Sequence, residues 1–402
     1  MRLWVLALVT TLGMQSVASF LNQSLPIIAP LLMQGTGLAP ERIGNISSLN
    51  SLGTVLFLIV GGPVLAYLGP VRALQMGALL ASAGLLIGAS GWWPALAFAA
   101  VLMGAGYGPS PPAGSRILAA TTPARHRTLI FSIKQAGAPA GGALAGITLA
   151  PAAAAWGWST ALLISVAVGI VAAVAISPAR ARLDVERAPD RQRLLRSMFK
   201  PRSLIEPFRL LKTDKSLLSV TALAFAFAIL QGALFTFLVT YLVTGLHMPL
   251  AQAGFAYASM QFAGVFARVF LGWLADRTGR AAYNLMIQAF VAAGAVALFA
   301  LLPDQPSTWF AAVTAGGVGF VGASWNGIYM AEVARLAPDD RIAEATSSSA
   351  VVTFLGYLVG PSLFSAIVTL TGGWAPAFMF VAFQLAAMAS IQLVILKCGT
   401  TA

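Results

Sequence analysis

Three ionisable side chains fall inside long apolar stretches of this sequence: Lys134, Arg268 and Glu332. A charge at membrane depth is costly, so each is a functional candidate. Arg268 has two readings, a cation that binds an anionic solute or one half of a structural ion pair. Lys134 is expected to run its amine toward the headgroups, as long cationic side chains do. Glu332 stands one helical turn before Arg335, and the two read as a gate ion pair rather than a proton carrier. Other chemistry is scarce. Cys398 is the one cysteine and His126 and His247 are the two histidines, so neither a disulfide framework nor a metal site is expected. There is no phosphate-cradling Walker loop and no acid–base pair within an apolar stretch. No catalytic residue and no cofactor is assigned, and the chain is not expected to be an enzyme. Between Glu41 and Asp184 there is no Asp or Glu, so the first half lacks the buried carboxylate a proton symporter usually needs.

The elements that must position these groups follow from composition. Of 402 residues, 58% are hydrophobic and 9% charged, and mean hydropathy is +0.85. Soluble domains carry about 25% charged residues, so an ordinary soluble protein is excluded. A membrane helix needs about 20 apolar residues. Twelve such stretches occur, at roughly 4–33, 41–66, 72–91, 94–118, 128–150, 157–178, 217–244, 250–275, 281–302, 307–334, 345–370 and 375–396. They are continuously apolar, without the alternation of a membrane barrel. Met1–Phe20 superficially resembles a secretion signal, but hydrophobicity continues through Ile27, Ile28, Leu31 and Leu32. An uncleaved first span is expected.

Net charge is +12, from 24 Lys and Arg against 12 Asp and Glu. Such a balance would suit nucleic acid, but the bases form no soluble stripe. Only Arg42 sits beside an odd-numbered connection. Basic loops stay cytoplasmic, which predicts a multi-pass protein of the cytoplasmic membrane with both termini inside. The segment 179–216 holds eleven bases against five acids and reads as a cytoplasmic linker between bundles at 1–178 and 217–402.

The halves also match each other. At an offset of 210, Gly35, Gly44, Gly62 and Gly69 fall on Gly245, Gly254, Gly272 and Gly279. At 215, Gly104, Pro123, Ser132 and Gly141 fall on Gly319, Pro338, Ser347 and Gly356. Two six-span halves in one orientation suit a rocking transporter. After the eighth span, Gly272-Trp273-Leu274-Ala275-Asp276-Arg277-Thr278-Gly279-Arg280 resembles the G-x-L-A-D-R-x-G-R loop of the major facilitator superfamily. The glycines would allow close approach and a tight turn, and Asp276 would accept hydrogen bonds from a helix N-terminus. The first-half copy, Gly62 to Pro70, keeps both glycines but has Ala66 for the aspartate and Pro70 for the arginine.

That resemblance implies an all-α membrane protein of twelve helices in two pseudo-symmetric six-helix bundles. It implies a cytoplasmic latch, with Gly272, Asp276, Arg277, Gly279, Arg280, Arg116, Glu332 and Arg335 as its residues here. It also implies a central cavity lined by the first, fourth, seventh and tenth spans, whose polar and aromatic residues become substrate candidates. These are Gln15, Asn22, Gln23, Tyr107, Gln231, Tyr241, Trp325, Asn326 and Tyr329, joined by Arg268. The arginine four residues before Gly272 resembles that of the monocarboxylate and oxalate/formate carriers, which pair it with substrate carboxylate. Gly137 to Gly142 loosely resembles an antiporter element, but small residues that let helices pack closely explain it better. The expected function is secondary active transport of a small organic solute, an organic anion such as a monocarboxylate. Efflux of hydrophobic drug-like compounds and a non-transporting membrane sensor or scaffold are the competing readings. Expected partners are a small-molecule substrate, the lipid bilayer and a coupling proton or counter-transported anion. No nucleic acid is expected, and the chain is expected to be a monomer.

Overall fold

In lipid, backbone N–H and C=O groups have no water to bond, so apolar chain of this length must be helical. The computed structural model describes residues 2–123, 127–184, 215–338 and 341–399. Most of the basic linker, Arg125 and His126 lie outside the described residues. Among the described residues there are helices and no strand. The first half runs α1 (Leu3–Thr36), α2 (Pro40–Leu68), α3 (Pro70–Gly88), α4 (Trp93–Tyr107) and α5 (Ser110–Thr121). It continues through α6 (Arg127–Gln135), α7 (Gly137–Trp156), α8 (Trp158–Ala175) and the single turn α9 (Arg180–Leu183). The second half runs α10 (Lys215–Thr240, prolonged by a π-turn over Tyr241–Gly245), α11 (Leu250–Thr278), α12 (Ala281–Phe299) and α13 (Thr308–Gly322). It ends with α14 (Asn326–Leu336), α15 (Ile342–Thr371) and α16 (Trp374–Gly399).

Ten of the helical segments are long and apolar enough to cross a membrane. The fourth, fifth and tenth expected spans are not single helices; in the fifth, α6 gives way to α7 at Ala136. In the fourth, α4 gives way to α5 at Gly108 and Pro109. Both residues keep right-handed helical dihedrals, so the chain holds its course. The hydrogen-bond ladder lapses because Pro109, Pro111 and Pro112 have no N–H. In the tenth, α13 stops at Gly322, Ala323 adopts φ −114° and ψ 6°, and α14 restarts at Asn326. The offset of 215 carries Gly108 onto Ala323, so the two interruptions occupy matching places in the repeat.

The chain divides into two compact units. One comprises Met1–Leu38 and Leu49–Lys200, the other Ala39–Ser48 and Pro201–Ala402. In the first, α1 is the central element and packs against α5, α7 and α8, while α3 packs on α4 and α8. The α1–α7 crossing is close because of glycine: a Cβ on Gly141 would lie 2.0 Å from the Ser16 carbonyl oxygen. That is the close-packing role expected of the Gly137–Gly142 stretch.

In the second unit, α10 packs on α15 and α16, and α11 on α13. α10 is its core, with 83% of its most apolar window buried, whereas the other spans of the chain bury 28–56%. Their outer faces carry exposed Phe262, Leu298, Leu370 and Phe383, a distribution that only an apolar solvent tolerates. The first turns of α2 join this unit, where Ser362 Oγ donates to Asn45 Oδ1 at 3.0 Å.

Gly104 and Gly319, matched at 215, both sit at crossings. A Cβ would come within 1.8 Å of the Asn50 carbonyl oxygen at Gly104 and 2.1 Å of the Met260 carbonyl oxygen at Gly319. Replacing either by Leu is expected to destabilise its unit by about 1–3 kcal/mol through overpacking. Thermal unfolding in detergent would register this as a fall of several degrees, and an unchanged midpoint would refute the close contact.

Candidate functional site

The first unit gathers polar groups at its interruption. Gln15, 2% exposed, projects from α1 toward the junction of α4 and α5. Its Nε2 donates to the Tyr107 hydroxyl at 3.3 Å, and Ser110 Oγ donates to its Oε1 at 2.9 Å. One glutamine thus ties together the last residue of α4 and the first of α5. Ser110 was not singled out in the sequence, because its proline-flanked position reads as local turn chemistry.

The second unit repeats the plan with larger side chains. Gln231 on α10 is 3% exposed, and its Oε1 accepts from Trp325 Nε1 at 2.9 Å and from the Tyr357 hydroxyl at 2.8 Å. Trp325, fully buried, stacks on Phe227 with ring centroids 5.4 Å apart. The offset of 215 places Ser110 on Trp325, so the corresponding donor in each unit serves a glutamine of the unit's first long helix. The carbonyls released where α13 stops are bonded by side chains. Arg268 donates to the Ala323 oxygen from Nε at 3.4 Å and from Nη2 at 3.2 Å. Gln288 Nε2 donates to the Val321 oxygen at 2.8 Å and to Ser324 Oγ at 3.0 Å. Half-buried Arg268 therefore holds the broken span together, a role that neither sequence reading named.

The remaining candidates divide. Tyr329 is 2% exposed, and its hydroxyl bonds Ser349 and accepts from Thr353 at 3.0 Å. Asn326, on the same helix, is half-buried. Gln23 is buried, and Asn22 keeps a buried Oδ1 with no hydrogen-bond partner among the described residues. Tyr241 lies elsewhere, in an aromatic cluster with Phe299, Trp374 and Phe378, where its hydroxyl donates to the carbonyls of Phe299 and Ala300. That setting is a packed core. Lys134 does not snorkel: it is 1% exposed. Among the described residues, no group of three or more His, Cys, Asp or Glu is placed to hold a metal ion.

In the loop motif, Gly279 ends α11 with φ +63°, the left-handed turn expected of it. A Cβ on Gly272 would meet nothing within 4 Å among the described residues. Asp276 and Arg280 are exposed, and Arg277 lies over the Trp273 ring at 5.5 Å. Glu332 is 2% exposed and pairs with Arg335 through two contacts of 2.6 and 2.8 Å. Arg116 is half-buried on α5. The helix N-terminus that does receive a carboxylate is α3, next to the degenerate copy. Asp184 Oδ1 accepts from Val71 N at 2.7 Å and Oδ2 from Arg72 N at 3.3 Å, and Arg180 lies 3.9 Å away. Gly69, at φ +86°, makes room: its Cβ would stand 2.8 Å from that carboxylate. The α3 N-terminus, which follows the degenerate copy, is thus capped by an acid that follows the sixth span.

The chain belongs to the Major Facilitator Superfamily, whose sequence model matches residues 6–361. It is a multi-pass membrane transporter by that membership. Among solved structures it is similar to the peptide transporter POT in complex with sulfate, at TM-score 0.78 and 16% identity, over 97% of this chain and 94% of that one. It is also similar to the D323A mutant of the nucleoside transporter NupG, at 0.76 and 15%, over 96% and 99%. A bacterial homolog of the human lysosomal transporter Spinster, inward-facing and unoccupied, matches at 0.73 and 15%, over 98% and 95%. At these identities the likeness is one of fold. No curated protein matches the sequence.

Two stability effects are expected. Gln231→Leu leaves Trp325 Nε1 and the Tyr357 hydroxyl without their acceptor, at about 1–3 kcal/mol, and should lower the melting midpoint and perturb Trp fluorescence. Asp184→Ala uncaps α3, at about 0.5–2 kcal/mol, and should speed amide exchange in the first turn of α3 alone. Uniform exchange rates would refute the cap.

Proposed function

We propose that this chain is a secondary active transporter that moves a small organic solute across the cytoplasmic membrane by alternating access. The observation that carries the reading is the pair of matched interruptions, each with a buried glutamine bonded to the residues beside it. In transporters built from repeats, interrupted helices at corresponding places mark the solute site, because only there can irregular backbone persist at membrane depth. The similar POT and NupG structures are named for peptide and nucleoside transport, which supports a small polar solute. The finer reading is an organic anion such as a monocarboxylate. It is supported by Arg268, a cation at membrane depth beside the second interruption, and by the lack of any acid between Glu41 and Asp184.

Both termini are assigned to the cytoplasm. The bases gather at even-numbered connections, and loop bases favour the inside.

Reconstitution tests the function. Proteoliposomes containing the purified protein should take up labelled lactate, pyruvate or benzoate saturably in counterflow. Arg268→Ala should reduce that uptake by about tenfold or more, the equivalent of about 1.4 kcal/mol. Uptake retained by the variant would remove Arg268 from the site. Export of hydrophobic dyes with no carboxylate movement would replace the anion reading with efflux.

A further inference from the structure

Lys134 is the buried cation that neither cluster uses. It lies in the last turn of α6, 1% exposed, over a glycine of α5. A Cβ on Gly114 would stand 2.7 Å from Lys134 Cε, 3.3 Å from Nζ and 3.7 Å from the Cβ of Thr11 on α1. The amine is therefore held between α5 and α1. Thr11 precedes Gln15 by four residues and Gly114 follows Ser110 by four, so this layer lies one helical turn from the Gln15–Tyr107–Ser110 cluster. Among the described residues, Lys134 is in no ion pair. α1 and α7 carry no ionisable side chain within Leu3–Thr36 and Gly137–Trp156, and α5 carries only another cation, Arg116. Asp184 is the one acid described in this unit, and it is occupied at the α3 N-terminus.

The second unit shows what these three positions look like when satisfied. The offsets of 210 and 215 carry Thr11 onto Thr221, Gly114 onto Tyr329 and Lys134 onto Ser349. There the Thr221 and Ser349 hydroxyls are 2.7 Å apart, and the Tyr329 hydroxyl bonds Ser349. That network is neutral and closed. In the first unit the ring is absent, the lysine stem takes its space, and a positive charge replaces a hydroxyl. A buried charge without a counter-ion is strongly unfavourable, so a fold that keeps one needs a compensating group from elsewhere.

We infer that Lys134, with Thr11 and the adjoining Gln15 layer, is the first unit's subsite for the carboxylate of the transported solute. The inference rests on the organic-anion reading and adds a residue to it. Arg268 directs Nε and Nη2 at a backbone carbonyl, whereas Lys134 is a compact charge in no ion pair among the described residues. The solute's anionic end replaces the missing acid, and its arrival neutralises the layer.

The test uses the purified full-length protein, thermal shift, and lactate, pyruvate and benzoate against their uncharged amides. Carboxylates should stabilise the wild type and amides should not. Lys134→Met should weaken carboxylate stabilisation by about tenfold or more in apparent affinity, while its ligand-free midpoint equals or exceeds the wild-type value. Should that variant not fold, Gly114→Ala decides the matter: its methyl displaces the lysine and should weaken carboxylate binding. Carboxylate affinity unchanged in the variant measured overturns the Lys134 subsite and leaves the anion reading standing. Carboxylates that act no better than amides on the wild type overturn the anion reading, and the subsite with it.

Discussion

Every backbone carbonyl at membrane depth needs a donor, and this requirement governs where the chain can depart from a regular helix. It departs at Gly108–Pro109 and at Ala323–Trp325, among other places, and at both of these side chains from neighbouring helices bond the residues of the junction. In the first unit the prolines take N–H donors out of the ladder, and a glutamine braces the side chains on either side of the junction. In the second no proline intervenes, and Arg268 and Gln288 must reach the freed oxygens of Ala323 and Val321.

The two units share a plan and differ in chemistry. Each centres a glutamine on its first long helix, and each crosses helices at the glycines matched by the repeat, Gly104 and Gly319. The second fills its interior with aromatic rings whose polar ends are bonded: Trp325 to Gln231, Tyr329 to Ser349. The first has smaller residues at the matching places and a lysine among them. A repeat of this kind lets one half provide rigidity through packed rings while the other holds an unbalanced charge.

The helical membrane fold was legible because its signals are local and abundant: long apolar runs, bases at alternate connections, glycines at constant offsets. The motif at the end of α11 named the family on nine adjacent residues. The interruptions were less legible. Gly108 and Pro109 stand in plain view, but apolar residues continue on both sides and the stretch still reads as one span. At Ala323 nothing in the local sequence marks the break, since it depends on Arg268 and Gln288, 55 and 33 residues away from the carbonyls they meet. Asp184 caps a helix whose bonded N–H lies 113 residues earlier. Lys134 was misjudged for the same reason. Its distance from the end of an apolar stretch suggested snorkelling, whereas its burial depends on the absence of a side chain at position 114, on another helix.

That dependence has an evolutionary reading. Gly114 and Lys134 form a pair in which each residue is tolerable only because of the other. Any side chain at 114 intrudes on the lysine stem, and a lysine at 349 would meet the Tyr329 ring in the space that Gly114 leaves open in the first half. Neither half can take on the other's chemistry one substitution at a time without passing through a strained or hollow intermediate. Related sequences should therefore change these positions jointly, and a library that varies them independently should be populated mainly along its diagonal.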